Sequence, residues 1–386
     1  MTQNYDVVIV GAGVIGLSVA YYLKRQGIER VLVLEKAKSW NTGSTALANG
    51  GIRQQFASPI NIRLSQLSVP VFENFDQEFD TQIHFRQYGY LFVTATAEGE
   101  KNLCANLALQ QQHGVPAEWL TPEQIAQLAP YVRLDDIIGG TFCGKDGYAD
   151  SWSVGTGFGT AARNLGAEIE FEQEVTELLV SAGRVQGVKT NTREVHTNTV
   201  VNAAGPWAAK LAALAGVNLP VLPVRHMVLL TEELHTLPEK MPMTIDVDTG
   251  FIMRMEGHRC YMGWADPEEV PGFNLSFDPD WIDKTMERAV LRVPALEEAQ
   301  VNPKRCAAGL FEVAPDHTCI LGEAPQVQGF YLANGFSGHG MLHAPAAGML
   351  TADLIAVNGG RTIWWTSHAP PLAVEEGKAV KETVVM

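Results

Sequence analysis

A chain of 386 residues, 46% hydrophobic and 18% charged, has the length for two or three domains, or two with one inserted into the other, and the apolar content for a large core. A formal net charge of −15 argues against nucleic acid or anionic membrane as the main partner, because 28 Lys and Arg among 43 Asp and Glu can hardly assemble the basic patch that phosphate binding needs. Five scattered cysteines (Cys104, Cys143, Cys260, Cys306 and Cys319) without a CxxC pair exclude a disulfide framework and a metal site of zinc type; no apolar run approaches the length of a membrane span, and with no export signal the expected compartment is the cytoplasm.

The chain opens with a strand-length apolar run at residues 7–10, a GxGxxG turn at Gly11, Gly13 and Gly16, and helical apolar spacing over residues 17–25. A second β-branched run at 31–34 ends in Glu35, 22 residues after Gly13, where a dinucleotide fold needs a carboxylate for the adenosine ribose. The glycines give a tight turn, let a pyrophosphate reach the N–H groups at a helix N-terminus, and pack helix close on strand.

Residues 36–53, KAKSWNTGSTALANGGIR, read as loop and small-residue helix, with Ser44, Thr45, Asn49, Gly50 and Gly51 crowding behind the nucleotide motif as if to meet a ligand with backbone. Residues 54–79 read as a helix with an apolar face, 88–94 as a strand, 98–113 as a helix, and 120–130 as a short helix capped by Thr121 with Pro122 at its first position; this stretch has the makings of a second domain. Residues 151–166 read as a helix. A strand meander is expected from 168–180 through 184–189 to 195–201, and its last run ends in Ala203, Ala204 and Gly205, small residues that let backbone pass close to something flat. Strands follow within 221–264, among them 224–230 and 260–264, then a helix at 280–292. Residues 330–333 (strand), 334–340 (glycine-rich turn) and 341–357 (helix) repeat the opening grammar and predict a second ligand contact at a helix N-terminus; the Pro-rich, then charged tail from Ser367 is expected to be mobile or to meet a partner.

Taken together, GAGVIG with Glu35, GSTALANGGIRQQF, VVNAAGPWA, GLFEVAPDHTCILGE and GFSGHGMLHAP occur in the order found in the D-amino-acid oxidase-like family of FAD-dependent oxidoreductases, which the chain resembles nearly end to end. The nearest branch is that of the sarcosine oxidase β subunit and the dye-linked L-proline dehydrogenase β subunit. The resemblance implies an α/β plus α+β fold: a Rossmann-type FAD-binding domain (1–83, 147–220, 304–364) interleaved with a mostly antiparallel substrate-binding domain (84–146, 221–303), and a tail at 365–386. It implies FAD held by Gly11, Ala12, Gly13, Val14, Ile15, Gly16, Glu35 and Lys36 at its adenosine and pyrophosphate, and near the ribityl chain by Ser44, Thr45, Ala48, Asn49, Gly50 and Gly51. Val175 would meet the adenine, Ala203, Ala204, Gly205 and Trp207 would lie along the cofactor, and Gly309, Gly335, Phe336, Ser337, Gly338, Gly340 and Met341 would meet the flavin ring.

The implied reaction removes a hydride from the carbon beside a neutral amine of sarcosine, proline, glycine or D-amino-acid type and leaves an imine for water to hydrolyse. Arg53 and His339 are the candidate catalytic residues: Arg53 the carboxylate clamp, with Arg225 and Arg254 as alternatives, and His339 a hydrogen-bond partner of the flavin ahead of a general base; Tyr261 and Phe311 are candidate substrate contacts, and His343 reads as a packed histidine. The chain departs from the monomeric sarcosine oxidases at three places. Gly309 replaces the cysteine linked to flavin, Leu342 replaces a carboxylate-gripping lysine, and Tyr261 falls near an oxygen-activating lysine, so the expectation is noncovalent FAD and a dehydrogenase rather than an oxidase. Three alternatives stay open: an NAD-dependent dehydrogenase, an electron-transferring subunit of a hetero-oligomeric dehydrogenase, and a FAD-containing assembly factor without turnover. Homo- or hetero-oligomeric assembly is likewise open.

Overall fold

The structure, a computed structural model, describes residues 4–356; the expected tail at 365–386 lies outside the described residues. A six-stranded sheet runs in the order Ile320–Glu323, Phe330–Asn334, Val200–Asn202, Val7–Val10, Val31–Leu34, Glu168–Glu170, parallel throughout except for its first strand. Val7–Val10 and Val31–Leu34 are buried at every position, which is why they read as unbroken apolar runs rather than as alternating ones.

The helix Val14–Arg25 follows the first strand directly, with Gly13 extended at its N-cap and Lys24 and Arg25 in its last turn, where cations suit the helix dipole. Gly340–Ala356 lies against it, close enough that Ser18 Oγ donates to Ala344 O at 2.8 Å and a Cβ on Gly348 would stand 2.2 Å from Ser18 Oγ. On the other face a three-stranded antiparallel sheet, Glu194–His196, Arg184–Thr190, Val175–Ser181, covers a second apolar cluster around Val8, Val10, Leu32 and Val200.

A mostly antiparallel eight-stranded sheet forms the other unit: Ala307–Val313, Leu222–Leu230, Arg259–Gly263, Phe251–Glu256, Met243–Asp246, Tyr90–Thr94, Gly139–Cys143, Glu118–Leu120. Its single parallel pair is Met243–Asp246 with Tyr90–Thr94, where chain distant in sequence is brought together. The buried Arg292, on the helix Asp280–Arg292, ties this unit by pairing with Asp246 at 2.8 Å and with Asp136 at 2.8 Å. Ala307–Val313 is an edge strand of this sheet, although the expected FAD-binding segment begins at 304.

Three expectations from local pattern are corrected. The stretch 168–180 is two strands in two sheets, because Glu168–Glu170 pairs in parallel with Val31–Leu34 and a turn with Glu172 at φ 57° separates it from Val175–Ser181. Residues 36–53 hold no helix; turns at 40–47 close through short bonds such as Ala46 N–H to Gly43 O, and Gly51–Ile52 pairs with Gly147–Tyr148. The helix expected from 54 starts at Pro59, where Ser58 accepts from Asn61 N–H, and residues 53–58 before it form no regular element, with Arg53, Gln54 and Gln55 all buried.

Candidate functional site

Three neighbouring parallel strands, Val7–Val10, Val200–Asn202 and Phe330–Asn334, end at the same edge of the sheet, and each runs into a small-residue turn. Carboxyl ends of parallel strands are where open α/β sheets bind ligands. Here the turns wall a cleft of about 640 Å³, within the roughly 300–1,000 Å³ common for ligand sites. Gly11 has φ 112°, and a Cβ on it would stand 2.3 Å from Ala203 O, so the first turn can nest against the second only as glycine.

Of the expected cofactor residues, Gly11, Ala12, Gly13, Val14, Ile15, Glu35, Lys36, Ser44, Thr45, Ala48, Val175, Ala203, Ala204, Gly205, Trp207, Gly309, Phe336, Gly338, Gly340 and Met341 all line this cleft, together with Phe311. Glu35 is fixed by the turn it serves: Ala12 N–H and Ala37 N–H each donate to its carboxylate at 2.8 Å. Thr45 Oγ1 accepts from Val14 N–H at 3.1 Å, and Ser44 Oγ donates to Leu310 O at 2.5 Å, which draws the 40–47 turns across the cleft floor.

Gly16, Asn49, Gly50, Gly51, Gly335 and Ser337 do not line the cleft; they hold up its walls. A Cβ on Gly16 would stand 1.9 Å from Gly11 O and one on Gly50 2.0 Å from Ala149 O. Asn49 Oδ1 accepts from Gly51 N–H at 3.0 Å. Ser337, at φ 51°, accepts from Ala314 N–H and donates to Gly335 O, each at 3.1 Å.

Arg53 and His339 lie outside the lining, together. Arg53 is 4% exposed, donates from Nη1 to Gln55 O at 2.8 Å, meets His339 Nε2 from Nη2 at 3.2 Å, and its guanidinium sits 4.1 Å from the Phe56 ring centre. Burial first, then the Arg53 charge, holds His339 well below the usual histidine range, so the ring is neutral. Because a guanidinium only donates, Nε2 must be the acceptor, which puts the proton on Nδ1, a buried atom with no partner. The glycine cradle and the Glu35 carboxylate fixed by Ala12 N–H and Ala37 N–H make the cleft residues a fit for a dinucleotide. His343 is neutral too, lowered to about 3 by burial, and bonds Ser65 Oγ at 3.1 Å.

Tyr261 lines a narrower recess of about 50 Å³ that shares Ser44, Leu47, Gly309 and Phe311 with the cleft and adds His226, Ile252 and Trp264. Its hydroxyl donates to Leu47 O at 3.2 Å, and burial pushes it up to about 12, so it stays uncharged. His226 stacks on Phe311 at 3.8 Å and is lowered to about 4 by burial. The nearest cation to Tyr261 is Arg254, 4.8 Å from the ring centre, bonded to Asn49 O at 2.7 Å and paired with Glu256. Arg259 and His258 pair instead with Glu233 and Glu239.

Sequence reasoning missed several lining residues, among them Asn41, Gln173, Lys210, Leu275 and Glu312. Glu312 was the most legible of them, a lone acid in an apolar strand. Burial pushes it up to about 8 against the amides of Gly335 and Phe336, so it keeps its proton at neutral pH.

A family model described as FAD dependent oxidoreductase (DAO) matches residues 6–354. The chain is 31% identical to the Bos taurus FAD-dependent oxidoreductase domain-containing protein 1, with 94% of this chain and 83% of that protein covered. It is 29% identical to Mus musculus mitochondrial sarcosine dehydrogenase, where 92% of this chain spans 40% of the longer protein. Among solved structures, L-proline dehydrogenase from P. horikoshii superposes with TM-score 0.87 at 29% identity over 95% of this chain and 96% of that one. Glycine oxidase from Bacillus cereus gives 0.79 at 26% identity over 91% and 95%.

Proposed function

Since the chain belongs to the DAO family of FAD-dependent oxidoreductases, we propose that it oxidises a small amine or amino acid, of sarcosine, proline, glycine or D-amino-acid type, to an imine. The observation that carries this reading is the junction of the two voids. The cofactor cleft narrows, past Ser44, Leu47, Gly309 and Phe311, into a small recess lined mainly by apolar and aromatic side chains. Bound FAD would supply the hydride acceptor for the carbon beside the neutral amine.

The chain's own residues bind, orient and exclude water. Trp264, Ile252 and Phe311 keep the recess dry, and Tyr261 and His226 are both uncharged there, the tyrosine keeping its hydroxyl proton, so neither brings a charged base to the recess. Arg53 is the proposed carboxylate clamp, with its guanidinium oriented by Gln55 O and His339. Arg225 is a weaker candidate because it pairs with Glu269 at 2.8 Å. His339 is proposed to hydrogen-bond the flavin from the Gly335–Met341 turn, whose Phe336, Gly338, Gly340 and Met341 line the cleft.

FAD is held noncovalently on this reading. Gly309 carries no thiol, and the cleft lining contains neither cysteine nor histidine among the described residues. The unpaired state of all five cysteines supports a reducing compartment such as the cytoplasm. A dehydrogenase is favoured over an oxidase because Tyr261 is neutral and the charge of Arg254 is offset by Glu256. The test is anaerobic addition of sarcosine, proline, glycine and D-amino acids to the yellow protein, followed by mixing with air-saturated buffer. Bleaching by one of them, with slow recovery in air and fast recovery with a dye, is expected. No bleaching with any would favour the electron-transferring or assembly-factor readings, and fast recovery in air would make the protein an oxidase.

A further inference from the structure

The loop at residues 265–278 joins the strand Arg259–Gly263 to the helix Asp280–Arg292 and belongs to the substrate-side unit. It is pinned along the strand Leu222–Leu230. Arg225 donates to Glu269 Oε2 from Nε at 3.1 Å and from Nη2 at 2.8 Å, and to Ser276 O at 2.7 Å. Gly272 N–H donates to Pro223 O at 2.8 Å. Between these pins the loop reaches across to the other unit. The Phe273 ring lies 5.7 Å from that of Trp207, and Lys210 Nζ stands 3.7 Å from the Phe273 ring centre. On Trp207 the series continues, with Lys36 Nζ 3.3 Å from its ring centre.

The result is a pair of rings, Trp207 and Phe273, flanked by two cations, Lys36 and Lys210, in which only Phe273 comes from the substrate-side unit. Trp207, Lys210 and Lys36 line the cofactor cleft, and so does Leu275 two residues beyond Phe273. The contact is shallow. Phe273 is 38% exposed, Leu275 52% and Val270 77%, so the loop has little core of its own and reaches the far side through the ring and ammonium contacts of Phe273.

We propose that Phe273, clasped by Trp207 and Lys210, is a latch that fastens the substrate-side unit across the cofactor cleft and sets the rate at which FAD leaves. The proposal rests on the reading that this cleft holds FAD. Leu275 covers the edge of the cleft while the latch is closed, and the cofactor departs only after Phe273 has left Trp207. The base of the loop need not move, since Arg225 holds it at Glu269 and Ser276.

The test is dissociation of FAD from the holoenzyme, followed as flavin fluorescence after dilution into excess FAD-scavenging apoprotein. Phe273→Ala is expected to release FAD on the order of tenfold faster than wild type, the factor that about 1.4 kcal/mol represents, and Lys210→Met several-fold faster. Val270→Ser, in the same loop but outside the clasp, is expected to release at the wild-type rate. The proposal is overturned if Phe273→Ala and Lys210→Met both release FAD as slowly as wild type, or if Val270→Ser accelerates release as much as they do. Should Phe273→Ala fail to fold, Lys210→Met against Val270→Ser decides alone. A wild-type protein that takes up no FAD overturns the cofactor reading and the latch with it.

Discussion

Arg53 keeps its charge in a buried place, over the Phe56 ring and between Gln55 O and His339. Losing one member of a buried, hydrogen-bonded charge pair costs roughly 2–5 kcal/mol. Arg53→Met is therefore expected to lower kcat/KM for the bleaching amine by that equivalent, and unchanged steady-state kinetics would move the clamp to Arg254. Behind Arg53 stands Asp146, fully buried, accepting from Gln54 N–H at 2.9 Å and Gln55 Nε2 at 3.3 Å. Burial raises its carboxyl from 3.8 to about 6, outweighing those donors. The folded protein thus holds this proton more tightly than the unfolded chain, so the group's favourable contribution is complete below pH 3.8 and is lost as pH rises to about 6. Asp146→Asn cannot titrate. The stability of wild type relative to this variant should fall by about 2 kcal/mol between pH 4 and pH 7, read as denaturant midpoints; a constant difference would refute the raised carboxyl.

Two helices and two strands, rather than any single side chain, set the distance between the turn at Gly11–Gly16 and the turn at Gly335–Gly340. Val14–Arg25 and Gly340–Ala356 start at these two turns and touch at Ser18 and Gly348. A Cβ at 348 would meet Ser18 Oγ at 2.2 Å, Tyr22 Cδ2 at 2.7 Å and the Ser18 backbone carbon at 2.8 Å. Gly348→Ala is expected to destabilise by about 1–3 kcal/mol and to weaken FAD binding by spreading both helix N-termini, measured by thermal unfolding and flavin titration. Ser18→Ala added to it should recover only part of the loss, because the backbone and Tyr22 contacts persist. Full recovery would put the whole effect on one hydroxyl.

On the scale of the molecule, a parallel sheet supplies the cofactor cleft, an antiparallel sheet supplies the recess, and the edge strand Ala307–Val313 belongs to the second while walling the first. Ser337 N–H donates to Glu312 O at 3.0 Å, joining that strand to the Gly335–Gly340 turn. Gly309, on this shared wall, has Leu47 3.3 Å from where a Cβ would lie. Acid precipitation of the holoprotein should therefore leave all the yellow colour in the supernatant; colour in the pellet would mean a covalent link through Cys306 or a histidine such as His226.

The sequence by itself determined the Gly11–Gly16 turn, Glu35, the Ala-Ala-Gly turn and the Gly335–Gly340 turn, because each is a local strand-to-helix event written in glycine spacing and apolar runs. It also carried, through five ordered motifs, the family and the two-unit fold. Only the tertiary structure decided that Glu168–Glu170 joins the parallel sheet, since which partner a short strand pairs with is not a property of the strand. The same holds at the site. Arg53 meeting His339, Arg254 covering Tyr261 and Phe273 reaching Trp207 join residues 286, 7 and 66 positions apart. Even the short separation depends on a hairpin that folds Arg254 back across from Tyr261. Charge position, burial and the resulting proton affinities come from such meetings, and no local pattern of residues encodes them.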